Sequence, residues 1–491
     1  MELMKLRRRH ERSGRLATVA TAAVLGVATW APSAGVAAAA PASAGTARIE
    51  TARGWAATQA PLPANAGNGF NVNLRSADCA SVSSCATVGY YTDSANDGQG
   101  LLLTRSGTTW TPDQAPLPAD AAADPGVNLT SVACPDTSTC VAAGYYTDSA
   151  GNQQGLLLTG SGTTWAPDEV QAPGAATDPS VNLTSVACPD TSTCVAAGYY
   201  TDSAGNQQGL LLTGLGTTWT ATRTPLPANA ATQPDVNVVS VTCPAASSCV
   251  AAGTYTDTKG ASHPVLLTGL GATWQAVRAP LPGNKASFPI LGLTAVTCAT
   301  TSSCAAVGFY QISNGGVEGL LLTGSGSSWT AAMAPLPRGA FSQPNAYLDA
   351  VACPAASSCT VTGYYNIPSG KSRGVFITGW GRSWKATKAP LPSGVTGRPS
   401  TALTWVACPS VTACVATGVY NRSSGTQRGI LLKGSGTSWK AAKPPLPANS
   451  SPSPFDHLFT VVCASTSSCL VTGSYADNSN NGQGLLLTGR S

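Results

Sequence analysis

The sequence has few charged residues: Asp, Glu, Lys and Arg together make up 10% of its 491 residues, against about 25% in an average soluble protein. It also has only three Met and seven Phe. This composition excludes coiled coils, acidic tails and an enzyme body built from long charged helices. The 52 Gly and 35 Pro residues instead indicate many short strands separated by turns.

Basic residues are scarce outside the N-terminus. Without residues 1–44 the chain has 21 basic and 20 acidic residues, which gives a net charge close to zero. A nucleic-acid-binding protein needs a basic surface that neutralises phosphates. We therefore expect no nucleic acid among the partners.

Residues 1–44 have the order of a secretory signal peptide. A basic start precedes an apolar run from Leu16 to Trp30, and small residues follow up to Ala44, so cleavage is expected before Gly45. A retained membrane anchor is the alternative, but Pro32 leaves the run shorter than the roughly 20 residues that a span needs. We predict a secreted protein with no membrane segment, whose mature part, residues 45–491, is a single domain.

The rest of the chain repeats one unit eight times. Each unit has two cysteines six positions apart, and successive units begin 54 or 55 residues apart. The pairs are Cys79 and Cys85, Cys134 and Cys140, Cys188 and Cys194, Cys243 and Cys249, Cys298 and Cys304, Cys353 and Cys359, Cys408 and Cys414, and Cys463 and Cys469. A tryptophan keeps the same period: Trp55, Trp110, Trp165, Trp219, Trp274, Trp329, Trp384 and Trp439.

Each unit contains four strand-sized segments, as in LTSVAC, CVAAGYY and GLLLTG of the second unit, followed by the segment of Trp165. Four strands per repeat predict the blades of a β-propeller. The last unit ends after its third strand, and the segment of Trp55 supplies a spare strand. We therefore predict an all-β, eight-bladed propeller closed by pairing of the N-terminal strand with the last blade. A β-solenoid is the alternative, but it would need distinct capping repeats.

Two segments of the repeat resemble known propeller motifs. Residues 129–148, LTSVACPDTSTCVAAGYYTD, resemble the inner two strands of a WD40 blade, and GSGTTW at 160–165 resembles an Asp-box with Gly160 at the Asp position. The whole pattern resembles the secreted, Cys-paired propellers of actinomycetes of the dispase autolysis-inducing type. That resemblance implies partners among secreted proteases and cross-linking transglutaminases. The candidate cross-linking residues lie in turns, where ordinary polar turn residues are the alternative: Gln153, Gln154, Gln207 and Gln208.

Paired cysteines in an exported chain predict eight disulfides, each bridging the turn between two strands. Zinc is the alternative, but zinc sites use closer spacing and bring four ligands together. The mature chain has only two histidines, His263 and His457. Aspartates that open turns, such as Asp93 and Asp148, are ordinary turn formers. We predict no metal and no cofactor.

A tyrosine lies six positions after the second cysteine of every unit. The residue before it varies, so strand alternation predicts that the tyrosine faces inward. A packed core ring is one interpretation, and stacking on bound sugars is the other. The candidates are Tyr91, Tyr146, Tyr200, Tyr255, Tyr310, Tyr365, Tyr420 and Tyr475.

No set of catalytic residues stands out. Constant spacing means that no loop is enlarged to hold a site, and the glutamates of the mature chain, Glu50, Glu169 and Glu318, lie in different units. A glycosidase needs paired carboxylates. We therefore predict a monomeric, non-catalytic protein-binding or scaffold propeller that uses its variable loops. A carbohydrate-binding propeller is the alternative, and a glycosidase is less favoured.

Charge is unevenly distributed along the repeats. Between Ser106 and Thr222 there are ten acidic residues and no basic one, and between Ala350 and Phe455 eleven basic residues and no acidic one. In a closed ring of eight blades these two spans lie on opposite sides. The basic side is expected to hold an anionic cell-wall polymer. Drift among solvated surface residues is the alternative interpretation.

Overall fold

The computed structural model describes residues 54–67, 71–397, 399–422 and 425–491. Within these ranges the chain has 32 β-strands and no helix, and the strands form eight four-stranded antiparallel sheets. The prediction of an all-β, eight-bladed propeller is confirmed. The expected signal peptide, residues 1–44, lies outside the described residues. No helix within them is long and apolar enough to cross a membrane.

The first four blades are formed by strands in chain order. Blade 1 has β2 (Asn73–Cys79), β3 (Ser84–Thr92), β4 (Gly98–Ser106) and β5 (Thr109–Gln114). Blade 2 has β6 (Asn128–Ala133), β7 (Cys140–Thr147), β8 (Gln153–Ser161) and β9 (Thr164–Glu169). Blade 3 has β10 (Asn182–Ala187), β11 (Cys194–Thr201), β12 (Gln207–Gly214) and β13 (Thr220–Arg223). Blade 4 has β14 (Asn237–Ala245), β15 (Ser248–Thr256), β16 (Ser262–Gly269) and β17 (Gln275–Arg278).

The other four blades follow the same plan, except that blade 8 takes its outer strand from the N-terminal end. Blade 5 has β18 (Leu291–Thr300), β19 (Ser303–Gln311), β20 (Val317–Ser325) and β21 (Ser328–Met333). Blade 6 has β22 (Tyr347–Ala355), β23 (Ser358–Asn366), β24 (Ser372–Trp380) and β25 (Ser383–Lys388). Blade 7 has β26 (Thr401–Ser410), β27 (Ala413–Asn421), β28 (Gln427–Ser435) and β29 (Ser438–Ala442). Blade 8 has β30 (His457–Ser465), β31 (Ser468–Ala476), β32 (Gly482–Gly489) and β1 (Trp55–Gln59).

The ring is closed by pairing between the two ends of the propeller. Strand β1 runs antiparallel to β32, with Trp55 opposite Gly489 and Gln59 opposite Leu485. This pairing completes blade 8 with a strand that lies more than 400 residues earlier in the sequence. It confirms the predicted closure, and it leaves no unfinished sheet at either end of the array.

The core consists of eight apolar clusters, each between two successive blades. In β4, residues 101–103 are three consecutive leucines, and all three are 0% exposed. A sheet with one solvated face would alternate apolar and polar residues. The continuous apolar run is therefore explained by the neighbouring blades, which cover both faces of the sheet. Full burial of one leucine side chain stabilises the fold by roughly 1.5–3 kcal/mol.

Side-chain hydrogen bonds also join the inner strands of neighbouring blades. Each inner strand has a bulge. In β6 the bulged Thr130 donates its hydroxyl to the carbonyl oxygen of Leu183 in β10 at 2.6 Å. Next to the bulge of β2, the hydroxyl of Ser76 accepts from the amide of Val132 in β6 at 3.2 Å. Equivalent bonds occur between later blades, so the repeated Thr and Ser residues hold adjacent inner strands together.

All eight predicted cysteine pairs are bonded in the structure, and no free cysteine remains among the described residues. Each bridge joins the first and second strands of a blade. At the other hairpin, the Gly-x-x-Trp segment closes its own turn: the indole Nε1 of Trp165 donates to the carbonyl of Gly162 at 3.1 Å. Gly162 has φ of 61°, a conformation that glycine adopts without a steric penalty. The segment that resembles an Asp-box therefore has a turn-forming role here.

Removal of one disulfide tests the stability that the bridges supply. The pair Cys188→Ala and Cys194→Ala should lower the free energy of unfolding by about 2 kcal/mol, because the bridge closes a short loop in the unfolded chain. Urea unfolding of the oxidised protein, followed by tryptophan fluorescence, measures the change. Ser192→Ala changes the same turn but keeps the bridge, so it should unfold like the parent. Equal stability of the bridge variant and the parent would contradict this role.

Candidate binding face

Two kinds of loop form one face of the propeller. The loop that enters blade 1 pairs with the turn between β3 and β4: Ala66 bridges Asp93, and the amide of Ser94 donates to the carbonyl of Asn65. The disulfide turns and the hairpins before the tryptophans lie at the opposite ends of the strands. There the amide of Gly107 donates to the carbonyl of residue 83 at 2.9 Å. We call the first the variable-loop face and the second the disulfide face.

The eight repeated tyrosines lie in the core, with exposures of 0–1%. The hydroxyl of Tyr91 donates to Asn65 Oδ1 at 2.8 Å, and burial is the main cause that raises its pKa to about 12. Tyrosines of other blades donate to the residue at the same place in the entering loop or to its neighbour. No ring face is open to solvent, so the sugar-stacking hypothesis for these residues is wrong. The packed-ring interpretation describes the structure.

An aspartate closes the turn between the second and third strands in blades 1, 2, 3, 4 and 8. In blade 1, Asp93 Oδ1 accepts from the amides of Ala95 and Asp97, and Oδ2 accepts from the side chain of Gln99 at 3.0 Å. Burial opposes ionisation, but the hydrogen bonds outweigh it and lower the pKa of Asp93. The same contacts join Asp148 to Gln154, Asp202 to Gln208, Asp257 to His263 and Asp477 to Gln483. These carboxylates are therefore occupied by their own turns.

The glutamines proposed for cross-linking are strand residues, not turn residues. Gln153 and Gln207, which begin β8 and β12, donate to the carbonyls of Val181 and Val236 at 2.8 Å. Each following glutamine donates to the aspartate of its turn at 2.8 Å, and Gln208 is 0% exposed. A cross-linking enzyme needs a free, accessible amide. The prediction that Gln153, Gln154, Gln207 and Gln208 are accessible acceptors is therefore wrong, because strand pairing extends past the expected turn.

Blades 5, 6 and 7 lack the turn aspartate, and its partner six positions later changes with it. Sequence reasoning missed this coupled change, which is visible when the repeats are aligned by their cysteines. The substituted pairs are Ile312 with Glu318 in blade 5, Ile367 with Arg373 in blade 6, and Arg422 with Arg428 in blade 7.

The two arginines are buried and find partners in the next blade's entering segment. Arg428 Nε contacts Asp456 Oδ1, and Asp456 is 0% exposed. Asp456 Oδ2 also accepts from the amide of Gly429 at 2.9 Å. Arg373, which is 4% exposed, donates to the carbonyl of Pro399. In these blades, cations that bridge to the following blade replace the internal Asp–Gln pair.

Within the described part of the chain, no such cation pairs with Glu318 in blade 5. Its side chain lies opposite Tyr310 in the β19–β20 pairing, is 8% exposed, and has Ile312 in place of the turn aspartate. Burial raises the pKa of Glu318 to about 7. The raised pKa means that the folded protein disfavours the ionised carboxylate. Stability from this site is therefore fully present below pH 4.5, the ordinary value, and is lost as the pH rises through about 7.

The charge asymmetry is partly internal to the fold. Asp136 caps its disulfide turn by accepting from the amides of Ser138 and Thr139 at 2.7 Å, and the turn aspartates of blades 2 and 3 are buried. On the basic side Arg373 and Arg428 are buried, and residue 398 lies outside the described part of the chain. The exposed charges that remain in these spans include Asp120, Asp124 and Asp178, and Lys371, Arg382, Lys385, Lys388, Arg422 and Lys440.

No protein-family model and no curated protein matches this chain. Among solved structures, AofleA from Arthrobotrys oligospora matches with 13% identity and a TM-score of 0.31, over 65% of this chain and 90% of that one. The Hadza microbial sialidase Hz136 matches with 9% identity and a TM-score of 0.38, over 69% and 73%. A post-proline cleaving enzyme from Rickettsia typhi matches with 9% identity and a TM-score of 0.41, over 84% and 57%. Such weak similarity does not bear on the function of this chain.

The buried glutamate predicts a specific pH dependence. Glu318→Gln should raise the melting temperature more at about pH 8 than at about pH 5, because it removes a carboxylate whose ionisation destabilises the fold. Differential scanning calorimetry at both pH values measures the effect. Asp178→Asn removes an exposed carboxylate. The difference in its melting temperature between the two pH values should be the same as in the parent. A Glu318→Gln effect that is equal at both pH values would contradict the prediction.

Proposed function

We propose that this chain is a secreted, non-catalytic propeller of the actinomycete dispase autolysis-inducing type, which binds another secreted protein through its variable-loop face. Eight disulfides support an extracellular location, since such bridges persist in oxidising compartments. The sequence resemblance suggests a secreted protease or a transglutaminase as the partner.

One observation carries this proposal. Phe455, in the loop that enters blade 8, is 50% exposed and has φ of 43°. A bulky aromatic residue disfavours this left-handed conformation, and strain of this kind is typical of functional positions. The residues at the same place in other entering loops tolerate positive φ better: Gly126, Ser180, Asp235 and Asn345.

A second exposed aromatic residue lies on the same face. Phe341, in the loop that enters blade 6, is 44% exposed. Aromatic side chains presented on loops dominate the energy of many protein–protein interfaces. Neither ring is buried in the core. A binding partner therefore explains the exposure of both rings better than folding does.

The chemistry of the described residues supports a non-catalytic role. They contain no group of three or more His, Cys, Asp or Glu residues that could hold a metal ion. In blade 2, burial and the neighbouring carboxylates of Asp120 and Asp148 raise the pKa of Glu169. Asp148 is occupied by its turn, and Asp120 accepts from Tyr146.

Removal of the two exposed rings should weaken partner binding. Phe341→Ala with Phe455→Ala should lower affinity by at least about tenfold, equivalent to about 1.4 kcal/mol. The probes are a secreted metalloprotease and a microbial transglutaminase, each immobilised for biolayer interferometry.

The disulfide face offers a matched control. Val82 and Val411 are both 52% exposed there, so Val82→Ala with Val411→Ala removes exposed apolar surface from that face. This variant should bind like the parent. Equal loss in both variants, or a parent that binds neither enzyme, would rule out the variable-loop face as a protein-binding surface for these partners.

Blade 6 supports a second candidate function, retention on an anionic cell-wall polymer. Lys371, Lys385 and Lys388 are exposed, and none forms an ion pair within the described residues, where the ion pairs are His263–Asp257 and Arg428–Asp456. Reversal of these three lysines to Glu should reduce salt-sensitive retention on purified cell-wall material. The control variant is Asp120→Asn with Asp124→Asn, on the acidic side. Cell-wall material should retain this variant to the same extent as the parent. Retention of the reversed variant at the parent's level would contradict this function.

A further inference from the structure

A cleft of about 390 Å³ opens on the variable-loop face of blade 4. It lies between the turn that joins β15 and β16 and the loop that leads into blade 5. Its buried polar side chains are Asp257 and His263, which are 8% and 5% exposed. The volume is at the lower end of the range for small-ligand sites.

The buried pair at the cleft differs from its counterparts in other blades. His263 occupies the position that is Gln in blades 1, 2, 3 and 8, and its Nε2 lies 2.8 Å from Asp257 Oδ2. Asp257 Oδ1 accepts from the amides of Lys259 and Ala261 at 2.9 Å. The carboxylate is thus fully used by the protein. The Nδ1 atom of His263 is buried and has no hydrogen-bond partner among the described residues, and a buried polar atom without a partner is costly.

Three exposed cations line the same cleft: Lys259, Arg278 and Lys285. None is within ion-pair distance of a carboxylate in the described part of the chain, whose two ion pairs involve other residues or His263. Against the single charge of Asp257, these side chains give the cleft a net positive charge. An anion bound between them would relieve their mutual repulsion.

The remaining lining combines an apolar surface with hydrogen-bonding groups. Phe288 is 62% exposed, and it lines the cleft together with Leu281. Asn229 Oδ1 accepts from the hydroxyl of Tyr255 at 2.8 Å, which leaves its Nδ2 to donate into the cleft. An apolar ring beside amide and cationic donors suits a ligand that has one apolar face, several hydroxyls and a carboxylate.

A cleft at the same place between blades 8 and 1 provides an internal comparison. It has a volume of about 500 Å³ and is lined by Gln59, by residues 60–63 and by Ala66. Gln59 and Arg278 hold the same register at the end of their outer strands, opposite Leu485 and Val265. Among the described residues, no charged side chain lines this second cleft. This second cleft therefore lacks the cluster of Lys259, Arg278 and Lys285, although Arg223 and Lys388 hold the register of Arg278 in blades 3 and 6.

We propose that the blade 4 cleft binds an acidic monosaccharide unit of the hexuronate class. Arg278, Lys285 and Lys259 hold the carboxylate, Phe288 packs against the apolar face of the sugar ring, and Asn229 donates to a hydroxyl. The site is separate from Phe341 and Phe455 and does not rest on the protein-binding proposal.

Isothermal titration of the full chain with glucuronate tests the site. Glucuronate should bind, and binding should weaken with added salt because charge holds the carboxylate. Glucose, which lacks the carboxylate, and acetate, which lacks the ring, should each bind at least about tenfold more weakly, equivalent to about 1.4 kcal/mol. Absence of glucuronate binding, or equal binding of glucose or acetate, would overturn the proposal.

Variants locate the binding in this cleft. Arg278→Gln with Lys285→Gln should lower glucuronate affinity at least about tenfold, and Phe288→Ala should also lower it. All three side chains are exposed, so the melting temperature should stay at the parent's value. Gln59→Ala in the uncharged cleft should leave glucuronate affinity unchanged. A charge variant that binds glucuronate as well as the parent would overturn the assignment.

Discussion

Each blade of this propeller is apolar on both faces, and that constraint governs the rest of the structure. A sheet such as blade 1, with residues 101–103 fully buried, is stable only when a neighbour covers each side. An open row of blades would leave two apolar faces in water. The ring must therefore close, and β1 pairs with β32 for that purpose. The same constraint explains the nearly invariant repeat length, since a longer or shorter blade would not match its neighbours.

Side chains whose polar atoms are all used within the ring are not free to bind a ligand. The repeated tyrosines, the turn aspartates and their glutamine partners are consumed by packing and by hydrogen bonds within each blade. Function must instead come from positions at which the blades differ. The entering loops differ most, and they supply the exposed Phe341 and Phe455. Blade 4 adds His263 where blades 1, 2, 3 and 8 have glutamine, together with the exposed cations Lys259, Arg278 and Lys285.

The sequence allowed the fold to be predicted because its signals are local and repeated eight times. Paired cysteines, the Gly-x-x-Trp hairpins and the three-leucine strands each specify a short element, and their period specifies the ring. Contacts between blades were not predictable in this way. Asp456 and Arg428 are 28 residues apart and belong to different blades, so their pairing appears only when the blades are assembled. Gln154 and Gln208 were misassigned to turns because strand β8 or β12 begins before the apolar run that marks it.

The two proposed sites lie on the same face but on different blades, and their separation has a functional consequence. Phe455 enters blade 8, and the cationic cleft belongs to blade 4, which is opposite blade 8 in a ring of eight. A ligand the size of one sugar unit fills only the 390 Å³ cleft and leaves the loop of Phe455 uncovered. Both sites can then be occupied at once, without competition between them. A propeller that bound an acidic polysaccharide at one edge and a protein at the other would hold the two together, which is a scaffold role that requires no catalytic residue.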